Sequence, residues 1–208
     1  MKLIGMLDSP YIRRVAISLQ MLGLPFEHQS LSVFRTFDAF SRVNPVVKAP
    51  TLVCDDGEVM MDSTLILEYA QALAHPRSLV PAQPKALQHA LCVLGYALAA
   101  CEKSVQIVYE RNLRPPERQH EPWVVRVTGQ LLAAYAGLEA EVVRRPAAFA
   151  PDRQAGITAA VAWQFTQSLL AAVVPAAEHP ALVDLSARLE QGPAFLAFPP
   201  DGPGVQAA

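Results

Sequence analysis

Asn44-Pro45-Val46-Val47-Lys48-Ala49-Pro50 runs directly into Thr51-Leu52-Val53-Cys54, and Asp62-Ser63 opens an apolar-periodic helix twelve residues after Pro50. A proline before a short apolar run marks the start of a strand, and the peptide bond before proline is the one that is readily cis. Asp55-Asp56-Gly57-Glu58 supplies an Asp-Gly turn, so residues 51–54 and 59–61 are expected to pair as a hairpin. Asp62 or Ser63 then caps a helix that reaches about residue 74.

Upstream, residues 2–7 read as a short apolar strand, and Ser9-Pro10-Tyr11 start a helix that stops at Gly23. Val15, Leu19 and Leu22 line one face of it. Residues 26–33 give a second strand after Pro25, and 38–43 a weak, polar helix. The order βαβαββα describes a thioredoxin-type α/β unit over residues 1–75. Three prolines, at 76, 81 and 84, make residues 76–84 a linker.

Beyond the linker the strand pattern vanishes, and residues 85–208 read as an all-helical domain. Leu87, Leu91, Leu94, Leu98, Cys101, Val105 and Val108 recur at three- and four-residue steps, a long helix over 85–113 that Pro115-Pro116 break. A second helix over 117–143 buries Trp123, Val127, Leu131, Leu138 and Val142. The third, 154–177, carries no charge and could span a bilayer by count, yet Gln154, Thr158, Gln164 and Thr166 fit a core helix better. A fourth covers 181–189, and the Pro/Gly-rich tail after Gly192 reads as coil.

Composition narrows the class. Of 208 residues 52% are apolar and 17% charged, with net charge −2, so the chain is globular and lacks the basic footprint of a nucleic-acid binder. Cys54, Cys92 and Cys101 have no CxxC spacing. On one helix, Cys92 and Cys101 would stand roughly 13–14 Å apart, beyond disulfide reach, so reduced thiols in a cytoplasmic protein are expected. The chain begins with a strand pattern, and neither a signal peptide nor a membrane span is expected. Five scattered histidines show no ligand spacing, so no metal site is expected.

Taken together, Ser9-Pro10, Asn44-Pro45 with Ala49-Pro50, and Asp62-Ser63 resemble the glutathione S-transferase family, bacterial serine type. The resemblance covers nearly the whole chain and is strongest over residues 1–75. It implies a thioredoxin-like glutathione-binding domain followed by an all-α bundle, a homodimer, and glutathione as co-substrate. It further implies a cis Ala49–Pro50 bond, with Ala49 N–H and C=O pairing with the cysteinyl part of glutathione like an added strand. An ordinary trans proline opening an edge strand is the alternative.

Roles follow residue by residue. Ser63, through N–H and hydroxyl at a helix N-terminus, suits the γ-glutamyl carboxylate, and Asp62 suits the ammonium. Many family members carry Glu at the Asp62 position, so the shorter side chain is left to act through water. Both residues also read as a plain N-cap pair. Ser9 is the expected catalytic residue: only a thiolate attacks, a free thiol has a pKa of about 8.5, and a hydroxyl donor beside unpaired helix N–H groups stabilises the anion. Ser9 also reads as a simple N-cap. Serine rather than cysteine here argues against a mixed-disulfide mechanism, and Met6-Leu7 leave no tyrosine on the first strand. Lys48 is a candidate for the glycyl carboxylate and equally an exposed lysine, while Phe34 and Arg35, at the end of the second strand, could approach the same end. Tyr11, with Tyr109 and Arg111 on the long helix, is the candidate wall of a hydrophobic substrate pocket expected between the domains.

The implied activity is conjugation of the glutathione thiolate to a small hydrophobic electrophile, as in detoxification. A non-catalytic binding or regulatory protein of the same fold is the alternative, or a glutathione-dependent isomerase, dehalogenase or peroxidase. In one place the chain departs from the family pattern. The core helix usually opens with a Ser/Thr-x-x-Asp box, whereas Arg153-Gln154-Ala155-Gly156 supply neither capping side chain, so a frayed or differently capped start is expected.

Overall fold

The computed structural model describes residues 1–202, which form two compact units: Met1–Leu79 with residues 193–202, and Val80–Gly192. In the first, strands β1 (Lys2–Ile4), β2 (Glu27–Gln29), β3 (Thr51–Val53) and β4 (Val59–Met60) make one sheet of order β2-β1-β3-β4. β1 runs parallel to β2 and antiparallel to β3, and β3–β4 is the expected hairpin. Helices α1 (Pro10–Leu22), α2 (Phe37–Val43) and α3 (Ser63–Ala74) complete the βαβαββα order, a thioredoxin-like arrangement.

Local chemistry sets the boundaries. β1 stops at Ile4 because Gly5 takes φ +141°, and a Cβ there would lie 2.1 Å from Ile12 Cδ1. Pro10 pre-sets the first turn of α1, and Gly23, at φ +73°, closes it with its N–H on Gln20 and Leu19 carbonyls. Ile12, Val15, Ala16 and Leu19 are fully buried on α1, which packs on α3, whose Ile66, Leu67 and Ala70 are buried in turn. β2 is shorter than residues 26–33 predict: beyond Gln29 the chain leaves the ladder for a turn braced by Ser32 and Thr36.

The second unit is helical: α4 (Pro84–Leu113), α5 (Glu121–Arg144), α6 (Gln154–Leu170) and α7 (Pro180–Glu190). α4 packs against α5 and α6, and α6 is buried nearly all round, with Ile157, Ala159, Ala160 and Ala162 at 0% exposure. Its Thr166 hydroxyl meets Ser104 (2.7 Å) and Tyr135 (2.7 Å), a satisfied polar cluster inside the core. Burial pushes the Tyr135 phenol far above its usual range, so it stays a neutral donor. α4 is also long and apolar enough by length and composition to cross a bilayer, but Val93, Ala97, Ala100, Cys101 and Ile107 make it a core helix.

Several expectations shift. The helix foreseen over 117–143 is a 3₁₀ turn (Pro116–Arg118) followed by α5, because Pro122 favours a helix start there and Glu110 accepts the His120 N–H. Trp123 and Leu91 point outward at 43% and 54% exposure, since each lies off the stripe its helix buries. α6 ends at Leu170 rather than running to 177, and Gln167 donates to the Val174 carbonyl as the chain turns toward Pro175. The start of α6 lacks a side-chain cap, as read from the sequence, but it is not frayed: Gln154, Ala155 and Ile157 are buried and Gly156 lies against the Phe149 and Ala150 carbonyls. The tail carries a short helix α8 (Pro193–Leu196) before its coil; residues 203–208 of that stretch lie outside the described residues. The sequence reading kept 85–208 together, whereas the contacts of 193–202 lie with the first unit, where Arg13 and Phe26 hold them.

Candidate functional site

The register of the sheet and one buried arginine relate Ala49-Pro50 and Ser63 to the chain on either side of Ser9. Ile4 pairs with Thr51, which sets Ala49 beside Gly5, where a Cβ would stand 3.4 Å from the Ala49 methyl. Four residues past Gly5 the chain reaches Ser9, the N-cap of α1. Arg14, on the next turn of α1, donates from Nη1 to Ser63 Oγ at 3.0 Å and so ties the start of α3 to the same end of the unit.

Each position has a definite local state. Ser9 is half-buried; its N–H bonds the Met6 carbonyl and its own carbonyl accepts the Arg13 N–H. The hydroxyl makes no cap hydrogen bond and has no partner among the described residues. Ala49–Pro50 is cis, as the resemblance implied. Asp62 is the N-cap of α3, Oδ1 accepting from Thr64 N–H (2.9 Å) and Leu65 N–H (3.3 Å). That leaves the Ser63 N–H in the first turn without a partner among the described residues, next to a hydroxyl that already accepts from a cation. The Met61–Asp62 bond is also cis.

Asn44 holds the loop that leads to Ala49. It is buried, donates to Thr51 Oγ1 (2.8 Å) and Met61 Sδ (3.3 Å), and accepts the Val46 N–H (3.0 Å). The loop so held includes Val47 at φ +51°, a left-handed position that a β-branched residue takes at a cost of about 1–3 kcal/mol. Thr51 Oγ1 donates to the Lys48 carbonyl, and the Lys48 side chain is exposed with no partner among the described residues.

Phe34 and Arg35 do not end a strand. Ser32 Oγ accepts both their N–H groups at 3.1 Å, fixing them in the turn before α2. With Phe37 and Arg42 they border a shallow recess of about 420 Å³. Tyr11 is half-buried in the first turn of α1. Tyr109 and Arg111 belong to the second unit: Tyr109 is 39% exposed, and Arg111 is engaged by Glu121 (2.9 Å) and Gln119 (2.9 Å). The hydrogen bond that Arg111 donates to Glu121 raises the Arg111 pKa against the opposing effect of burial, so that cation is already balanced. Cys54 is no rival nucleophile, because burial and then the neighbouring Asp56 push its thiol up.

Sequence reasoning passed over Arg14, 2% exposed at the heart of α1. The available signal was its position: an arginine next to Val15 on the apolar stripe of a short helix, five residues after Ser9, where burial requires a partner.

Residues 3–78 match the family model for the N-terminal domain of glutathione S-transferases. Over 84 residues the chain is 32% identical to the uncharacterized GST-like protein YibF of Escherichia coli K12, a match covering 40% of this chain and 42% of that protein. The chain thus spans less than half the length of that curated relative. It shares 29% identity, over 97% of its own length and 99% of the other, with a glutathione transferase family member from Pseudomonas fluorescens Pf-5 solved with bound glutathione (TM-score 0.84). A glutathione S-transferase from Methylobacterium radiotolerans, solved with glutathione sulfonate, superposes with TM-score 0.87 over 100% of this chain and 98% of its own at 24% identity, which shows the fold. Residues 3–78 thus form a glutathione S-transferase N-terminal domain, and the chain as a whole has the fold of the solved glutathione transferases.

Proposed function

We propose that the protein binds glutathione in its first unit and transfers the thiolate to a small hydrophobic electrophile. The observation that carries this reading is the Ser9 hydroxyl at the N-terminus of α1, which caps nothing and so is available to donate to a sulfur. The γ-glutamyl carboxylate takes the Ser63 N–H and hydroxyl, with Arg14 behind them, and Asp62 faces the ammonium. Ala49 offers its backbone to the cysteinyl residue, and Lys48, with Phe34 and Arg35, meets the glycyl end.

Bound in this way, the thiol loses its proton to solvent while the Ser9 O–H and the α1 N-terminus hold the anion. The thiolate sulfur forms a bond to the electrophilic carbon, and the leaving group departs with the bonding pair. Serine supplies no second sulfur for a mixed disulfide. Proximity and a preformed thiolate provide most of the acceleration. Tyr11, in the first unit, is the residue proposed to meet the electrophile. A cytoplasmic homodimer serving detoxification fits the family and the three free thiols.

Calorimetric binding of glutathione, followed by turnover of an activated chloronitroarene, tests this. Binding with turnover that Ser9→Ala cuts by about tenfold or more supports the transferase. Binding without turnover of conjugation, peroxide or isomerisation substrates moves the assignment to a non-catalytic binding protein.

A further inference from the structure

The last ten described residues return to the first unit and fasten there at three points. Arg13, 1% exposed on α1, donates from Nε to the Phe198 carbonyl at 2.8 Å, and its guanidinium stands 5.6 Å from the centre of the buried Phe195 ring. Phe198 stacks on Phe26 at 5.5 Å. Asp8 then donates its N–H to the Asp201 carbonyl at 3.1 Å.

These anchors bracket Ser9. The Met6–Ser9 turn is closed by the Ser9 N–H on the Met6 carbonyl; Ser30 Oγ holds the Met6 side chain at 2.9 Å, and Asp8 fastens the turn to the strap. On the other side, Arg13 holds the strap with its side chain while its N–H bonds the Ser9 carbonyl at 3.0 Å. The residue before Ser9 and the residue one helical turn after it are therefore both hydrogen-bonded to residues 198–201. A hydroxyl that is to meet a sulfur must be held within about 0.5 Å of its productive place, and the neighbours that hold it determine how well it works.

We propose that residues 193–202 are a positioning strap for Ser9: Arg13 and Asp8 couple the carboxy-terminal segment to the turn that aims the hydroxyl. The proposal rests on the thiolate role assigned above to Ser9. Loosening the strap lets the Ser9 turn wander while the Ala49 and Ser63 contacts persist. Thiolate formation then suffers and glutathione affinity does not.

The test uses full-length protein and chains ending at Gly202, Pro200 and Ala197, with Arg13→Met and Arg13→Lys. The first deletion is the control, the second removes the Asp201 acceptor, and the third also removes Phe198. Thiolate absorbance of bound glutathione is titrated against pH, with kcat and KM measured at neutral pH. The expected result is a control like wild type, with half-ionisation raised by about one pH unit in the Pro200 chain. It rises further in the Ala197 chain and Arg13→Met, with kcat down about tenfold and the KM for glutathione within about threefold. Arg13→Lys, which can still donate, recovers most of the loss.

Unchanged ionisation in the shortened chains overturns the strap, and so does a loss of affinity equal to the loss in kcat. Amide exchange over residues 6–13 separates this from a failure of the functional reading. If wild type binds no glutathione, the thiolate role falls, and faster exchange in the Pro200 chain still supports the strap while unchanged exchange overturns it.

Discussion

Arg14 Nη1 and Ser63 Oγ lie 3.0 Å apart, so a buried cation from the middle of α1 stands directly behind the first residue of α3. The helix end offers its partial positive charge and an open N–H, and the guanidinium adds a full charge to the same place. Because Ser63 Oγ accepts from Arg14, its proton points elsewhere and can be given to an anion. Arg14→Met is predicted to weaken glutathione binding by about tenfold to a hundredfold, the ~1.5–3 kcal/mol of a hydrogen bond to a charged group. A glutathione analogue lacking the γ-glutamyl α-carboxylate should lose little. Equal losses for both ligands would mean Arg14 serves the fold and not that carboxylate.

Asp62 separates capping from charge. Its Oδ1 holds two N–H groups, a task asparagine performs equally well. Asp62→Asn is predicted to leave denaturation midpoints nearly unchanged while weakening glutathione about fivefold, on the order of 1 kcal/mol. Asp62→Ala should in addition lose about 1 kcal/mol of stability.

Asn44 is a larger risk to the fold. Removing a buried amide that serves Thr51, Met61 and Val46 leaves the loop through Val47 unsupported. Asn44→Ala is expected to cost about 2–3 kcal/mol in chemical denaturation, with affinity for glutathione falling alongside.

Gly156 supplies a test in the second unit. Alanine is the better helix former by about 1 kcal/mol. Here, however, a Cβ would sit 2.8 Å from the Phe149 carbonyl oxygen and 2.9 Å from that of Ala150, both backbone atoms that cannot step aside. Gly156→Ala is predicted to lower the melting temperature despite its propensity, and a rise would show that the start of α6 is loose.

The fold was legible in the sequence to the extent that periodicity and turn chemistry carry it. The Asp-Gly hairpin, the Pro10 and Gly23 limits of α1, and the Asp62 cap all declare themselves locally. What was missed depends on distant partners. Nothing near Gln119 reveals that Glu110 will accept the His120 N–H and divide the expected helix. Gly156 reads as a poor cap residue until the carbonyls of Phe149 and Ala150 are seen against it. Arg13-Arg14 looks like an ordinary basic pair, because a local reading sees neither the tail carbonyl nor the helix start that take their guanidinium groups.

Ser9 bears the central claim. An N-cap serine normally contributes about 1 kcal/mol, but this hydroxyl makes no cap bond, so Ser9→Ala should leave stability within a few tenths of a kcal/mol. The decisive measurement is the ultraviolet titration of glutathione bound to wild type and to Ser9→Ala. Thiolate forming at least about one pH unit below the free thiol in wild type, and returning to the free value in the variant at similar affinity, is the predicted result. Bound glutathione that stays protonated at neutral pH in both proteins, or ionises equally in both, would contradict it.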